Sequence, residues 1–229
     1  MCNTYYELNL QVTMMIEIKR WDNGEIIHSG EFADIKECLE DGVAKGISFN
    51  YAKLNRAELN YAKLNDAKLD GAKLNDAKLN DAKLNGAELN DAKLNGAELN
   101  RAKLNDAELN RAELNYAKLN YAKLNGAELN YAKLNGAELN GAELNRAKLN
   151  YAELNDAELN YAKLNRAELN YAKLNYAELN GAELPDRIGV RICGSVQMVS
   201  LLSDTLKTSD INYEWYIQEA EKLVKPLLD

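Results

Sequence analysis

The sequence predicts an all-β solenoid: a rod of about seven four-sided coils, with a β-hairpin and an α-helix as caps at both ends. The main observation is a five-residue repeat that runs without interruption through 27 units, from 51 to 185 of the 229 residues. Each unit reads Tyr, Asp, Gly or Arg, then Ala, then Lys or Glu, then Leu, then Asn, and only Asp70 and Pro185 depart from the final Asn. The second observation is that a period of five suits neither a helix nor a long strand.

In an α-helix, five residues turn the chain by about 500°, so the leucines would spread over all sides and form no apolar stripe. In a long strand, an odd period would move the leucines to the opposite face at every repeat. A short Ala-x-Leu strand avoids both problems, because its two apolar side chains point the same way and the next two residues turn the chain. Four units then form a 20-residue coil, and coils stacked about 4.8 Å apart make a rod about 34 Å long.

The inner surface of this rod is expected to consist of the second and fourth residues of each unit. Residues 46–50 fit the same frame with Ile for Ala and Phe for Leu, which brings the repeat to 28 units. The chain therefore divides into an N-terminal cap at 1–45, the repeat at 46–185 and a C-terminal cap at 186–229. The first inward residues are expected to be Ile47, Phe49, Ala52, Leu54, Ala57 and Leu59.

The segment before the repeat predicts a β-hairpin followed by a helix. Apolar residues alternate with others from Val12 to Lys19, as in a half-buried strand, and Asn23-Gly24 is a hairpin signal that precedes a return strand at 25–31. Asp34 with Glu37 three residues later forms a capping box. The face of the helix that would pack inward consists of Ile35, Cys38, Leu39 and Val43, and Gly46 would end the helix.

The segment after Pro185 predicts a second hairpin, from 188–193 and 196–202, and a helix from about 211 to 225. Two interpretations of this helix remain open. It is a lid on the last coil, or it is a contact for a homodimer through Trp215, Tyr216 and Leu223.

Composition narrows the classes of function. The formal charge of -8 argues against a general binder of nucleic acids or anionic membranes. No apolar run reaches spanning length, and Glu17 interrupts the most apolar N-terminal run, so neither a transmembrane helix nor a signal peptide is expected. Three scattered cysteines (Cys2, Cys38 and Cys193) predict neither a disulfide framework nor a metal site, and favour the cytoplasm.

The unit Ala-Lys/Glu-Leu-Asn-x resembles the motif of the pentapeptide-repeat family, Ala-Asp/Asn-Leu-x-x, over 140 residues. The resemblance implies a right-handed quadrilateral β-helix. One departure is that Lys or Glu, 14 and 13 times, stands between Ala and Leu where the family has Asp or Asn. The departure leaves the inward pair intact and leaves the type of turn at the corners open.

Any function of such a rod must lie on its outer side. Tyr131, Tyr151 and Tyr171 fall at one corner in successive coils, with Lys133 and Lys173 beside them. This strip is either a stack that steadies the coils or a binding surface, and a single-stranded nucleic acid is the less expected ligand because Glu153 interrupts the lysines. Sorted by side, the repeat charges give two opposed basic faces of +3 and two opposed acidic faces of -4 and -3.

We interpret the chain as a non-enzymatic protein that presents a regular surface to a protein partner. No Ser-His-Asp set, Gly-rich phosphate loop or Cys-x-x-Cys motif is present, no cofactor is expected, and the single histidine, His28, is expected to be exposed and structural. The alternative comes from the resemblance, since some family members imitate duplex DNA at type II topoisomerases. A rod of about 34 Å would need about 20 negative charges to match B-DNA, and the repeat has a net charge of -1. A further alternative is that the array is mainly a product of recent 15-base duplication.

Overall fold

The computed structural model describes residues 12–185. Its regular elements are strand β1 (Met14–Lys19), strand β2 (Ile26–Phe32) and helix α1 (Ile35–Ala44), which precede the repeat. The predicted C-terminal hairpin and helix, with Trp215, Tyr216 and Leu223, lie outside the described residues.

Strands β1 and β2 form an antiparallel hairpin in which Met14 pairs with Phe32 and Ile18 pairs with His28. A bulge between Ile18 and Lys19 separates this ladder from the last pair, Lys19 with Ile26. The turn is therefore longer than a two-residue Asn-Gly turn, and it closes through a 2.8 Å hydrogen bond from the Arg20 amide to the Glu25 carbonyl. The Asn-Gly signal therefore located the reversal correctly.

Helix α1 begins as the capping box predicts. The Asp34 side chain accepts a hydrogen bond from the Glu37 amide at 2.8 Å, and the Glu37 carboxylate accepts one from the Ala33 amide at 2.7 Å. Cys38 and Leu39 are buried against the first coils. His28 does not point into solvent as the sequence suggested, because its ring packs near Phe32 and Phe49 and its Nε2 lies 2.7 Å from an Asp41 carboxylate oxygen.

From Lys53 onward the chain winds in coils of 20 residues. The third residue of each unit forms a parallel β-bridge with the residue 20 positions later, from Lys53 with Lys73 to Lys163 with Glu183. A bridge spacing of four units means that each coil has four short strands and four corners. Within the described residues, the bridges continue through the repeat without a break in register.

The bore of the coils is filled by alanine and leucine. From Ala52 to Leu164, every Ala and Leu of the repeat is at most 9% exposed, and most are at 0–2%. Of the first inward residues, Phe49, Ala52, Leu54, Ala57 and Leu59 are buried. Ile47 is only partly buried, because its amide bonds to the Gly42 carbonyl at the end of α1 and the coil register begins two residues later, at Phe49.

The corners are turns in which the variable residue has a left-handed backbone. All 27 variable residues of the repeat from Tyr51 to Gly181 have positive φ, between 56° and 72°, and 20 of them are not glycine. The Ala amide that follows bonds to the Leu carbonyl three residues earlier, the pattern of a turn with positive φ at its third residue, as in type II. The sequence left the type of turn open, and the structure shows that the left-handed residue is the Tyr, Asp, Arg or Gly after Asn.

Every backbone amide in a unit that lies between two coils has an acceptor, as the unit 116–120 shows. Tyr116, Lys118 and Leu119 donate to carbonyls of neighbouring coils at 2.7–3.0 Å, and Ala117 donates within the turn at 3.1 Å. The fifth amide, that of Asn120, has no carbonyl partner and donates to the side-chain oxygen of Asn100 at 3.2 Å. The final Asn of the unit thus supplies the acceptor that the backbone lacks.

These asparagines form ladders along the rod. From Asn50 to Asn160, each of these Oδ1 atoms accepts the amide of the residue 20 positions later, and in many coils it also accepts that residue's side-chain amide, as Asn115 does from Asn135 at 3.2 and 3.1 Å. Asp70 keeps the acceptor and takes the Asn90 amide at 2.8 Å. Pro185, which has no amide hydrogen, ends the ladder of Asn165.

The hairpin and helix dock onto the first coil through backbone groups. Arg20 forms an antiparallel bridge with Ala52, and the Lys53 amide donates to the Lys19 carbonyl at 2.8 Å. The Lys63 amide, which has no coil beneath it, donates to the Glu40 carboxylate at 2.7 Å. The first coil therefore meets a hydrogen-bonded neighbour on these two sides.

Substitution at Asn115 tests the ladder. We expect Asn115→Ala to lower the free energy of unfolding by about 1–3 kcal/mol, since it leaves the Asn135 amide without its acceptor. Asn115→Asp keeps an acceptor, as Asp70 does, and should cost clearly less. Urea unfolding followed by circular dichroism measures both. Equal losses for the two variants would contradict the ladder as the source of the stability.

The docked helix predicts an unreactive thiol at Cys38. Burial, assisted by the negative charge of Asp41, raises the pKa of this thiol to about 11. In a variant with Cys2 and Cys193 changed to Ser, we expect alkylation by iodoacetamide at pH 8 to be at least a hundredfold slower than in the urea-unfolded chain, because the thiol is both covered and protonated. Alkylation as fast as in the unfolded chain would show that α1 does not cover this position.

Candidate interaction surfaces

The outer surface carries all the chemical variety of the repeat. Ala and Leu fill the bore, and no polar or charged residue among 12–185 is buried. Outward residues are the variable one at the corner and the Lys or Glu on the flat face that follows it. Both kinds recur every coil, so like positions form straight columns along the rod.

The structure brings Tyr131, Tyr151 and Tyr171 together as a stack. Successive ring centroids are 4.9 Å apart, with interplanar angles of 2° and 13°. The three side chains remain 45–62% exposed. Each ring is thus held by its neighbours while its edge and hydroxyl face solvent.

This arrangement limits what the stack can bind. Base stacking on an aromatic side chain needs an open ring face. Both faces of Tyr151 are covered by the other two rings, and Tyr131 and Tyr171 each have one face covered by Tyr151. The column therefore presents mainly phenol edges and hydroxyls, which suit hydrogen bonding and edge contacts, and open ring faces are confined to its two ends.

The two lysines beside the stack are engaged in ion pairs along their own column. Lys133 Nζ lies 3.9 Å from a Glu113 carboxylate oxygen, and Lys173 Nζ lies 2.9 Å from Glu153 Oε1. Hydrogen bonds from Lys173 and then from Asn135 lower the pKa of Glu153, so its carboxylate stays ionised at neutral pH. The face beside the tyrosines is therefore mixed in sign and largely paired.

A second set of polar contacts was not anticipated from the sequence. In many units the Asn side-chain amide also donates to a glutamate 18 positions later, at 2.6–3.3 Å, as from Asn120 to Glu138 and from Asn140 to Glu158. A signal for these contacts is present in the sequence, because Asn and the third-position Glu recur in fixed phase. They orient the Glu side chains along the faces.

The junction of α1 with the coils forms an open cleft of about 400 Å³ whose lining includes Glu37, Glu40 and Lys63. Glu40 is occupied by the Lys63 amide, so the cleft belongs to the docking seam of the helix. Within residues 12–185 no group of three His, Cys, Asp or Glu side chains is arranged to hold a metal ion. In the same part of the chain, no helix combines the length and apolarity needed to cross a membrane.

Two glycine substitutions separate the tyrosine stack from the strain of its corner. Tyr61 and Tyr151 have nearly the same positive φ, 62° and 61°, but only Tyr151 lies between two rings. Glycine relieves a left-handed cost of about 1–2 kcal/mol at either site, whereas stacked pairs contribute about 0.5–1.5 kcal/mol each. In thermal unfolding we expect Tyr61→Gly to be neutral or stabilising and Tyr151→Gly to be less stable than Tyr61→Gly by about 1–3 kcal/mol, the contribution of two stacked pairs. The same effect at both sites would show that the stack contributes nothing.

Two family models match the chain. One, described as a pentapeptide repeat region, matches residues 44–119. The other, described as pentapeptide repeats in eight copies, matches 107–146, 127–164 and 147–184. No curated protein matches the chain.

Solved structures of the same kind resemble it. A pentapeptide repeat protein from the thylakoid lumen of Arabidopsis thaliana is 24% identical, with 45% of this chain and 72% of that one covered and a TM-score of 0.42. HetL, a pentapeptide repeat protein involved in heterocyst differentiation regulation in the cyanobacterium Nostoc sp. strain PCC 7120, is 27% identical, with 71% of this chain and 96% of that one covered and a TM-score of 0.40. QnrB1, a plasmid-mediated fluoroquinolone resistance protein, is 20% identical, with 69% of this chain and 95% of that one covered and a TM-score of 0.35.

The two models together span residues 44–184, where the structure shows coils of four units with alanine and leucine in the bore. The chain belongs to the pentapeptide-repeat family, whose fold is the right-handed quadrilateral β-helix.

Proposed function

We propose that this protein is a non-enzymatic interaction rod that presents columns of outward side chains to a protein partner. The observation that supports the proposal is the separation of roles within the unit. Second and fourth residues fill the bore, the fifth completes the backbone hydrogen bonds, and the first and third are left on the outside. Such a scaffold holds surface groups at fixed spacing along the rod.

The proposal includes the finer organisation of the chain. The 28 units form about seven coils at 46–185, the hairpin and helix at 1–45 cap the first coil, and 186–229 caps the last one. Capping is needed because an exposed coil end is an open strand edge. The C-terminal helix, with Trp215, Tyr216 and Leu223, is the proposed site of a homodimer contact, and the proposed location is the cytoplasm.

Imitation of DNA at a type II topoisomerase is the weaker alternative. QnrB1 is named for fluoroquinolone resistance, and its likeness to this chain extends to the fold alone. A DNA mimic needs a dense, continuous negative surface. Here the columns mix signs, and several glutamates are paired with lysines one coil away, such as Glu128 with Lys148 and Glu58 with Lys78.

Crosslinking from each corner tests the interaction rod. We would place p-benzoylphenylalanine singly at Tyr131, Tyr116, Tyr121 and Asp106, one at each corner, and irradiate in cells of the native host. We expect one protein partner, identified by mass spectrometry, to crosslink from one or two corners, since a partner covers one side of a rod. Crosslinks from all four corners to the same abundant proteins, or none from any corner, would contradict the proposal.

A gyrase supercoiling assay distinguishes the interaction rod from the alternative, a DNA mimic that acts on a type II topoisomerase. At micromolar protein we expect neither inhibition of supercoiling nor protection from a fluoroquinolone, because the net charge of the repeat is far below that of duplex DNA. QnrB1 serves as the positive control. Inhibition or protection by this protein would favour the topoisomerase-directed function instead.

A further inference from the structure

Two neighbouring faces of the rod carry opposite charge patterns. They are defined by the third residues of two successive units in each coil. The basic face contains Lys63, Lys83, Lys103, Lys123, Glu143, Lys163 and Glu183. The acidic face contains Lys68, Glu88, Glu108, Glu128, Lys148 and Glu168.

The two patterns are complementary coil by coil. Along five successive coils, the basic face shows three positive charges, one negative and one positive, while the acidic face shows the reverse. The inversion at Glu143 and Lys148 occurs in the same coil on both faces, so the match is more than an excess of one sign on each. The complementary positions are Lys83 and Glu88, Lys103 and Glu108, Lys123 and Glu128, Glu143 and Lys148, and Lys163 and Glu168.

These charges are not used across the corner within one chain. Among residues 12–185, the ion pairs on these two faces run along a single column, from Lys123 to Glu143 at 3.6 Å and from Lys148 to Glu128 at 2.7 Å. The side chains of Lys63, Lys83 and Lys103 have no carboxylate within 4.0 Å in this part of the chain, and all three residues are exposed. A run of like charges one coil apart is unfavourable unless something outside the chain compensates it.

We propose that the compensating surface is a second copy of this chain, with the basic face of one rod against the acidic face of the next. This inference rests on the proposed function, since it names one partner for the outer faces. The two surfaces have the same spacing, because the same stacking of coils sets both. Complementary charges at equal spacing are what a specific polar contact requires.

The charge patterns also favour one register and direction of the contact. With parallel rods in register, five of six opposed positions have opposite signs. A shift of the parallel rods by one coil lowers this to three of five or two of six, and antiparallel rods reach four of five or four of six in their best registers. The parallel arrangement in register therefore forms the largest number of opposite-sign pairs, five against four.

The contact joins two different faces, so it is heterologous. Each rod that uses its basic face keeps its acidic face for a further copy, and association continues until a ring closes or a filament grows. Because the opposed side chains are charged and exposed, the association is expected to be weak and to fall as salt rises. This dependence separates it from an apolar contact through the C-terminal helix.

Charge reversal in the full-length chain tests the proposal. Sedimentation velocity at 20 and 500 mM NaCl, over a range of protein concentration, measures association. We expect wild-type association to weaken at least tenfold in high salt. Association at low salt should be lost in the double variant Lys83→Glu/Lys103→Glu and also in the double variant Glu88→Lys/Glu108→Lys. An equimolar mixture of the two variants, and a single chain carrying all four changes, should associate again.

A matched control is Lys118→Glu/Lys133→Glu, which makes the same change in net charge on the other two faces and should associate as the wild type does. Circular dichroism and thermal unfolding establish that each variant keeps its coils. The proposal is overturned if wild-type association is absent, if it persists in both charge-reversed variants, or if mixing them restores nothing. In any of these cases the corner crosslinking experiment still decides the interaction rod independently.

Discussion

The structure depends on one requirement: each unit has five backbone amides and the coil geometry offers carbonyl partners to only four of them. The side-chain oxygen of the final Asn supplies the fifth acceptor, one coil away. Because acceptor and donor belong to the same position in successive coils, the bond forms only when coils stack in strict register of 20 residues. The ladder therefore specifies the register as well as satisfying the amides, and the alanines and leucines align in the bore as a result.

This register requires an unfavourable backbone conformation at the corners. Tyr, Arg and Asp adopt a left-handed conformation there, at a cost of about 1–2 kcal/mol for each residue that is not glycine. The conformation persists because the residues around it are held on both sides: the Ala amide closes the turn, and the amide of the variable residue bonds to the next coil. A single unit could not hold such a corner, which explains in physical terms why the repeat is stable only as an array.

The sequence allowed the coil, its inward residues, the hairpin and the helix cap to be predicted, because these depend on the period and on capping residues. It did not reveal which corner residue would be left-handed. Conformational propensity favours Asn for a left-handed backbone, but the Asn side chain is needed as an acceptor in the ladder. The left-handed conformation is instead adopted by the next residue, whatever its type. The partial burial of His28 was missed for a similar reason, since its partners Asp41 and Phe49 come from the helix and the first unit, and a local pattern does not show them together. The tyrosine stack was predicted from the 20-residue spacing, but not that both ring faces of Tyr151 would be covered.

The division of labour within the unit also explains how such a uniform chain can be specific. The third residue bonds its neighbours through its backbone, and its side chain points outward, so exchanging Lys for Glu leaves the bore and the ladder unchanged. Charge can therefore vary along a column with little effect on the fold, apart from ion pairs such as Lys173 with Glu153 and hydrogen bonds such as that from Asn120 to Glu138. In most globular proteins a surface charge pattern is distorted by loops of different lengths. Here every column has the spacing of the coils, so a pattern of signs on one rod can be matched by another surface with the same spacing, and the surface best suited to that spacing is another β-solenoid.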